Sequence, residues 1–246
     1  MISWKKIFIF GLMLSFSMLV LKQGDPVYLV FAQSPPSENA SFEETYQAGA
    51  GLPLGKIQSV EGEVVIFHAD MTTGYLAQTG LPLFKMDTID VRETGRIGCK
   101  LGDGSIFFLA PATKLVIDKS SYNSSLKISR STMSLVYGKA YFHVKRWDEF
   151  EPREFKVRAE SVLASTKDSR FIVEADQKAT RITVVGKGSL TITSLANRDN
   201  QLILSEFEQA FVEGGVLPAS VETLQDEQIR RLKAEFRHVT QLIPNQ

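Results

Sequence analysis

The chain has 246 residues, 43% hydrophobic and 23% charged, with 28 basic side chains set against 28 acidic ones and a single cysteine. Zero net charge lacks the basic excess by which a nucleic-acid binder displaces counterions, and the apolar fraction excludes low-complexity disorder. One thiol excludes an intramolecular disulfide and any cysteine-built zinc or iron–sulfur site, leaving a domain long enough to bury a full core.

In chain order, Lys5 and Lys6 precede an uncharged, mostly apolar run from Ile7 to Leu21. At about 1.5 Å per residue it falls short of an ~30 Å hydrocarbon core and reads as the apolar region of a signal peptide. Lys22 to Ala32 follows as the region before cleavage, with Val30 and Ala32 as the small residues a signal peptidase reads before Gln33. The alternative is an uncleaved signal anchor, since Lys22 and Asp25 interrupt that region. Residues 1–32 are thus expected to be a signal peptide or anchor. The expected destination is the periplasm or surface of a bacterium, or its inner membrane if the segment stays in place. The only cysteine, Cys99, lies far beyond any lipidation site, and a lone cysteine suits an oxidising compartment.

Residues 33–54 carry Pro35, Pro36, Ser37, Glu38, Glu43, Glu44 and Gly49-Ala50-Gly51, with few bulky apolar side chains, and read as a linker or loosely held arm. From Gly55 the pattern becomes short period-two runs, which place alternate side chains on one face of a strand. Val60, Gly62, Val64 and Ile66 form the first, followed by Ile89 with Val91, Ile97 with Cys99 and Leu101, and Ile106 with Phe108. Leu115 with Ile117, Ala140 with Phe142 and Val144, Phe155 with Val157, Phe171 with Val173, Ile182 with Val184, and Leu190 with Ile192 continue it. About a dozen short strands without crossover helices predict an all-β domain over residues 55–215, in a solenoid-like or sandwich arrangement.

Leu101-Gly102-Asp103-Gly104-Ser105 sets Asp-Gly between alternating runs and predicts a tight hairpin, with Gly104 free to take positive φ and Asp103 suited to a turn. Val185-Gly186-Lys187-Gly188-Ser189 echoes it and predicts a second turn, with two similar half-domains as one reading of the echo. Gly62 is a further candidate structural turn. Residues 216–246 form a C-terminal helical segment: Leu224, Ile229, Leu232, Phe236, Val239 and Ile243 recur at mostly three- and four-residue steps. They predict one amphipathic helix from Val221 to Ile243, capped by Ser220, ended by Pro244, and docked either on the β-domain or on a partner helix.

The order Gly55-Lys56-Ile57, Val60-Glu61-Gly62-Glu63-Val64, Thr94-Gly95-Arg96, Leu101 to Ser105, Leu109-Ala110-Pro111-Ala112-Thr113, Phe171-Ile172-Val173 and Val184 to Leu190 resembles the FecR domain family. The resemblance spans roughly Gly55 to Gly215 and implies an all-β, non-enzymatic bacterial domain found outside the cytoplasm, in sensing or assembly. The chain departs from the family pattern at Asp168-Ser169-Arg170, where a Gly-Thr pair is usual, and at Met86, where a glycine is usual before Asp87. Family members that control sigma factors carry a cytoplasmic domain before their membrane span. Only six residues precede Ile7, so a stand-alone exported module is expected.

No catalytic or metal set emerges. His68, His143 and His238 fall on three different elements; His68 with Asp70 is the nearest approach to a site and reads as a solvated strand end. Cys99, alternating with Ile97 and Leu101, reads as a buried small hydrophobe. No cofactor or metal is expected. The candidate interaction residues are Trp147 and Phe150, set among charged residues and proline in Lys145 to Glu154, with Tyr122 in the polar stretch Asp118 to Thr132. Large aromatics in such a loop are either interface anchors or a roof over the core. The expected function is a noncatalytic envelope module binding a protein or cell-wall partner, with a membrane-anchored sensor as the alternative.

Overall fold

The computed structural model describes residues 41–43, 45–69, 72–146 and 148–236. They form eighteen strands and one helix in the order β1 (Ser41–Glu43), β2 (Gly55–Glu61), β3 (Val64–Phe67), β4 (Thr73–Leu76), β5 (Pro82–Leu83), β6 (Thr88–Val91), β7 (Arg96–Leu101), β8 (Ile106–Leu109) and β9 (Thr113–Asn123). The second half continues with β10 (Ile128–His143), β11 (Arg153–Ala159), β12 (Val162–Thr166), β13 (Ser169–Ala175), β14 (Ala179–Gly188), β15 (Leu190–Ser194), β16 (Gln201–Leu204), β17 (Glu208–Glu213), β18 (Glu222–Thr223) and α1 (Asp226–Ala234). The fold is all-β. The count exceeds a dozen because strands of two to four residues leave no readable alternation, and the run from Val60 to Ile66 divides at the Gly62 turn between β2 and β3.

The strands make two layers. One runs β1-β4-β3-β6-β9-β10-β11-β12-β15-β16 and the other β5-β2-β7-β8-β10-β13-β14-β17-β18. All neighbours are antiparallel except β1 with β4 and β10 with β11. After β10 the chain lays its strands down in pairs that alternate between layers, β12 meeting β15 in one and β14 meeting β17 in the other. The result is a sandwich built up by a solenoid-like progression. Period-two alternation is what fills it: Leu115, Leu135, Phe142, Val157, Phe171, Val184 and Ile192 all point into one buried cluster, with Phe142 and Phe171 stacked at 5.0 Å. Cys99 lies fully within it, and burial pushes its thiol pKa up.

β10 belongs to both layers. Its first part pairs with β9 and β11, and from Gly138 onward it pairs with β13, joined from Ala140 by β8. The crossing turns on Gly138, whose φ is 94° and where a Cβ would sit 2.5 Å from the Ala112 carbonyl oxygen.

Two expectations need correction here. Gly186 and Gly188 do not form a hairpin like that of Gly102 to Gly104; they lie inside β14, and the chain passes from them to β15 in the other layer. Gly188 (φ 109°) turns the chain between layers hard against the Asp168 carbonyl, so the shared glycines serve close approach rather than a common turn. The C-terminal helix also starts later than Val221. Glu222 and Thr223 pair with β17, the Leu224 amide donates to Phe207 O, and α1 begins at Asp226 behind Gln225, which forms a reciprocal capping box with Gln228. Residues 237–246, including the rest of the expected helix, lie outside the described residues. What is described docks on the β-domain itself: Leu224, Ile229 and Phe236 cover Phe108, Tyr141, Ile172 and Val185 on the outer face of the second layer, as a separate buried cluster.

β1 adds to the edge of β4, and the Tyr46 hydroxyl donates to Pro82 O at 2.9 Å. The few apolar residues of this stretch carry no periodic signal, which is why its docking is invisible in the pattern.

Candidate interaction surface

The β9–β10 hairpin projects beyond the core, and the loop from β10 to β11 folds back against it. Phe150, in that loop, is only 7% exposed and stacks on Tyr122 of β9 with ring centroids 5.6 Å apart and planes 8° from parallel. Tyr122 is 37% exposed, so the pair has one covered and one open ring. The loop is pinned further by Ser129 N donating to Pro152 O at 3.3 Å and by Lys127 with Glu149 at 2.7 Å. Phe150 therefore anchors the loop to its own domain, and its charged neighbours form the accessible rim. Trp147 lies outside the described residues.

Under the loop sits the β7–β8 hairpin. The Asp103 carboxylate is 4% exposed and accepts from the Ser105 amide (2.8 Å), the Ser105 hydroxyl (3.1 Å) and the Ser129 hydroxyl of β10 (2.8 Å). Ser105 Oγ in turn accepts from the Lys145 amide at 3.1 Å. Asp103 thus does more than shape a turn: it ties the hairpin to the first residues of β10 and, through Ser105, to the start of the loop. Gly104 (φ 83°) lets the Lys145 side chain pass, and Gly102 lies beside Tyr122. Gly62 (φ 63°) is remote from this corner, packed on the turn at Thr94 and Gly95.

Beside the loop is a cleft of about 320 Å³ lined by Arg146, Asp148, Phe150, Glu151, Arg153, Lys167 and Asp168. Arg146 pairs with Asp148 at 2.6 Å and with the half-buried Asp168 at 3.7 Å, and Lys167 pairs with Glu151 at 3.0 Å; Arg146, Asp148, Glu151 and Lys167 are well exposed. Such pairs contribute little to stability. Arg153 is different. It is 8% exposed, its Nη2 has no hydrogen-bond partner among the described residues, and burial lowers its pKa against the opposing pull of Asp168, Asp103 and Asp148. The sequence contains no periodic or motif signal for Arg153 or Ser129. Both read as ordinary polar residues until the loop and hairpin are brought together.

Of the described histidines, His143 ends β10 and His68 follows β3. His68 is no solvated strand end; its Nδ1 lies 2.7 Å from Asp87 Oδ1, and Asp70 lies outside the described residues. His143 is half-buried, and burial next to Arg170 lowers its pKa to about 4. His238 lies outside the described residues. Among the described residues no group of three His, Cys, Asp or Glu is placed to hold a metal ion.

Two solved structures resemble the chain, both of a candidate anti-sigma factor from Parabacteroides distasonis ATCC 8503. One is 18% identical with a TM-score of 0.46, over 59% of this chain and 64% of that one, less than two thirds of its length. The other is 16% identical with a TM-score of 0.46, over 63% of this chain and 73% of that one. No curated protein matches the chain. The family model described as FecR protein matches residues 87–189, from the turn before β6 through β14, a stretch that holds the Asp103 hairpin, the pinned loop and both strand crossings.

Proposed function

We propose that the chain is a noncatalytic protein of the bacterial cell envelope, exported to the periplasm or cell surface, whose FecR domain takes part in envelope signalling by binding a protein or cell-wall partner. The observation that carries this reading is the loop between β10 and β11. Its one described large aromatic is used to fix the loop to the β9–β10 hairpin, so that Arg146, Asp148, Glu149, Glu151 and Lys167 are held in place at one corner of the domain. A rim fixed before encounter loses little conformational entropy on binding, and exposed charges of both signs select a complementary partner and its orientation.

A photo-crosslinking residue at Glu149 tests this in intact envelopes, with the same residue at Arg198, in the β15–β16 connection, as control. A discrete adduct from Glu149, absent from Arg198 and weakened by Arg146→Glu with Lys167→Glu at unchanged melting temperature, is the expected result. Equal labelling from both positions, or an adduct indifferent to the charge reversals, overturns the assignment of this corner. The membrane-anchored sensor remains the second reading, favoured by β1 and Tyr46, which fasten residues 41–46 to the domain. Recovered protein beginning near Gln33 selects the first, and a membrane-held species beginning at Met1 selects the second.

A further inference from the structure

The arm that docks before β2 meets, at Gln47, a histidine with an unusual proton requirement. His68, at the end of β3, is largely buried, its side chain 14% exposed, and each of its ring nitrogens faces an acceptor. Nδ1 is 2.7 Å from Asp87 Oδ1, and Nε2 is 2.8 Å from the backbone carbonyl of Gln47 in the arm. A backbone carbonyl can only accept. A neutral imidazole has one N–H and one lone pair, so it satisfies one of these contacts and turns a lone pair on the other. Both bonds form together only when the His68–Asp87 pair holds one proton more than a neutral ring beside a carboxylate. That proton can be written on Nδ1 or on Asp87 Oδ1 without changing the count, because in both forms Nε2–H remains to donate to Gln47.

The surroundings hold this arrangement in place. Asp87 is fully buried, its Oδ2 accepts the Phe84 amide at 2.7 Å, and burial raises its pKa against the lowering by His68 and by that amide. Three rings enclose the imidazole: Tyr46 from the arm at 5.6 Å, Tyr75 from β4 at 5.3 Å and Phe84 at 5.8 Å. Of the groups facing His68, Asp87, Tyr46 and Tyr75 titrate. Burial, together with Asp87 and Tyr75, raises the Tyr46 phenol, which stays neutral through the range where imidazole changes charge. Glu43 lies one step away, accepting from the Gln47 side-chain amide at 3.0 Å. Close approach of the arm is possible because residue 49 is glycine: a Cβ there would fall 2.9 Å from His68 Nδ1 and 2.9 Å from the Phe84 ring.

We propose that His68 is a proton-dependent latch for the arm: with the extra proton on the His68–Asp87 pair, Nε2–H holds the Gln47 carbonyl and residues 46–49 lie docked, and loss of that proton loosens them. The sign follows from the count. The docked arm binds one proton more than the released arm, so docking is complete at low pH and weakens as pH rises through the titration of the pair.

Amide protection factors for residues 46–49, measured on the full chain and corrected for the intrinsic pH dependence of exchange, test the latch. Between about pH 5 and about pH 8 protection should fall by roughly tenfold or more, the ratio carried by one charge-assisted hydrogen bond. His68→Phe keeps the ring packing, removes the proton, and should abolish that dependence. Protection that is flat with pH in the native chain, or a dependence that survives in His68→Phe, overturns the proposal. Should His68→Phe fail to fold, nitrogen NMR of the native ring decides. An Nε2–H on His68 at low pH that is lost as the arm opens supports the latch, and an arm still docked on an Nε2 without its proton refutes it.

Discussion

Replacing Gly138 by alanine is the sharpest test of how β10 joins the two layers. Its φ of 94° lies in the left-handed region, and an added methyl would lie 2.5 Å from both the Ala112 carbonyl oxygen and the Thr113 Cα, atoms of backbone that cannot swing aside. The left-handed backbone costs a residue with a Cβ about 1–2 kcal/mol, and forced overpacking adds about 1–3 kcal/mol. Destabilisation of about 2–5 kcal/mol should follow, and for a domain of this size each kcal/mol lowers melting by about 2–4 °C. Gly102→Ala is the matched control, since its φ is not in that region and its nearest neighbour to an added Cβ is 3.6 Å away. The control should stay within about 0.5 kcal/mol of the parent. Thermal scans and urea titrations of the two variants against the parent decide it. A Gly138→Ala protein that melts with the parent would refute the strained crossing.

Phe150→Ala should cost about 3 kcal/mol by removing a buried ring stacked on Tyr122, visible as a lowered urea midpoint with an unchanged slope. Ending the chain at Ser220 should uncover Phe108, Tyr141 and Ile172, with lower stability or self-association seen by sedimentation. Cys99 should resist a thiol reagent under native conditions and react fully in denaturant, because burial both hides the sulfur and raises its pKa. His143 has a folded pKa near 4, below its ordinary value, so the unfolded chain binds the extra proton first. Stability from this residue should be present above about pH 6.5 and fall as pH drops toward 4, and His143→Gln should flatten that slope.

The alternation from Ile89 to Ile192 made the layers legible, because burial on one face of a strand leaves a period of two in the side chains whatever the pairing. Pairing itself left no such mark. Gly102-Asp103-Gly104 and Gly186-Lys187-Gly188 look alike in sequence, yet one closes a hairpin and the other carries the chain between layers, since glycine records only that a Cβ has no room or that φ is positive. The helix stripe was readable from Leu224 onward, but its start was not: Glu222 and Thr223 satisfy the edge of β17, a tertiary demand that overrides local helical spacing. At the surface corner, Phe150 was legible as an anomaly among charges, while its direction depended on Tyr122, 28 positions earlier. His68 was read beside Asp70, because its partner Asp87 and its acceptor at Gln47 lie on opposite sides of it in sequence, 19 and 21 positions away.

A sandwich held together only by its core can let one sheet slip over the other, because apolar contact has no preferred direction. Here a single backbone is laced into both sheets, and slippage at Gly138 would have to break the ladder with β9 and β11 on one side or with β8 and β13 on the other. The two sheets therefore resist shear as one body along this line. A pull applied where β10 ends at His143, at the root of the charged loop, loads the second sheet first and reaches the first through an unbroken covalent strand, without depending on side-chain friction.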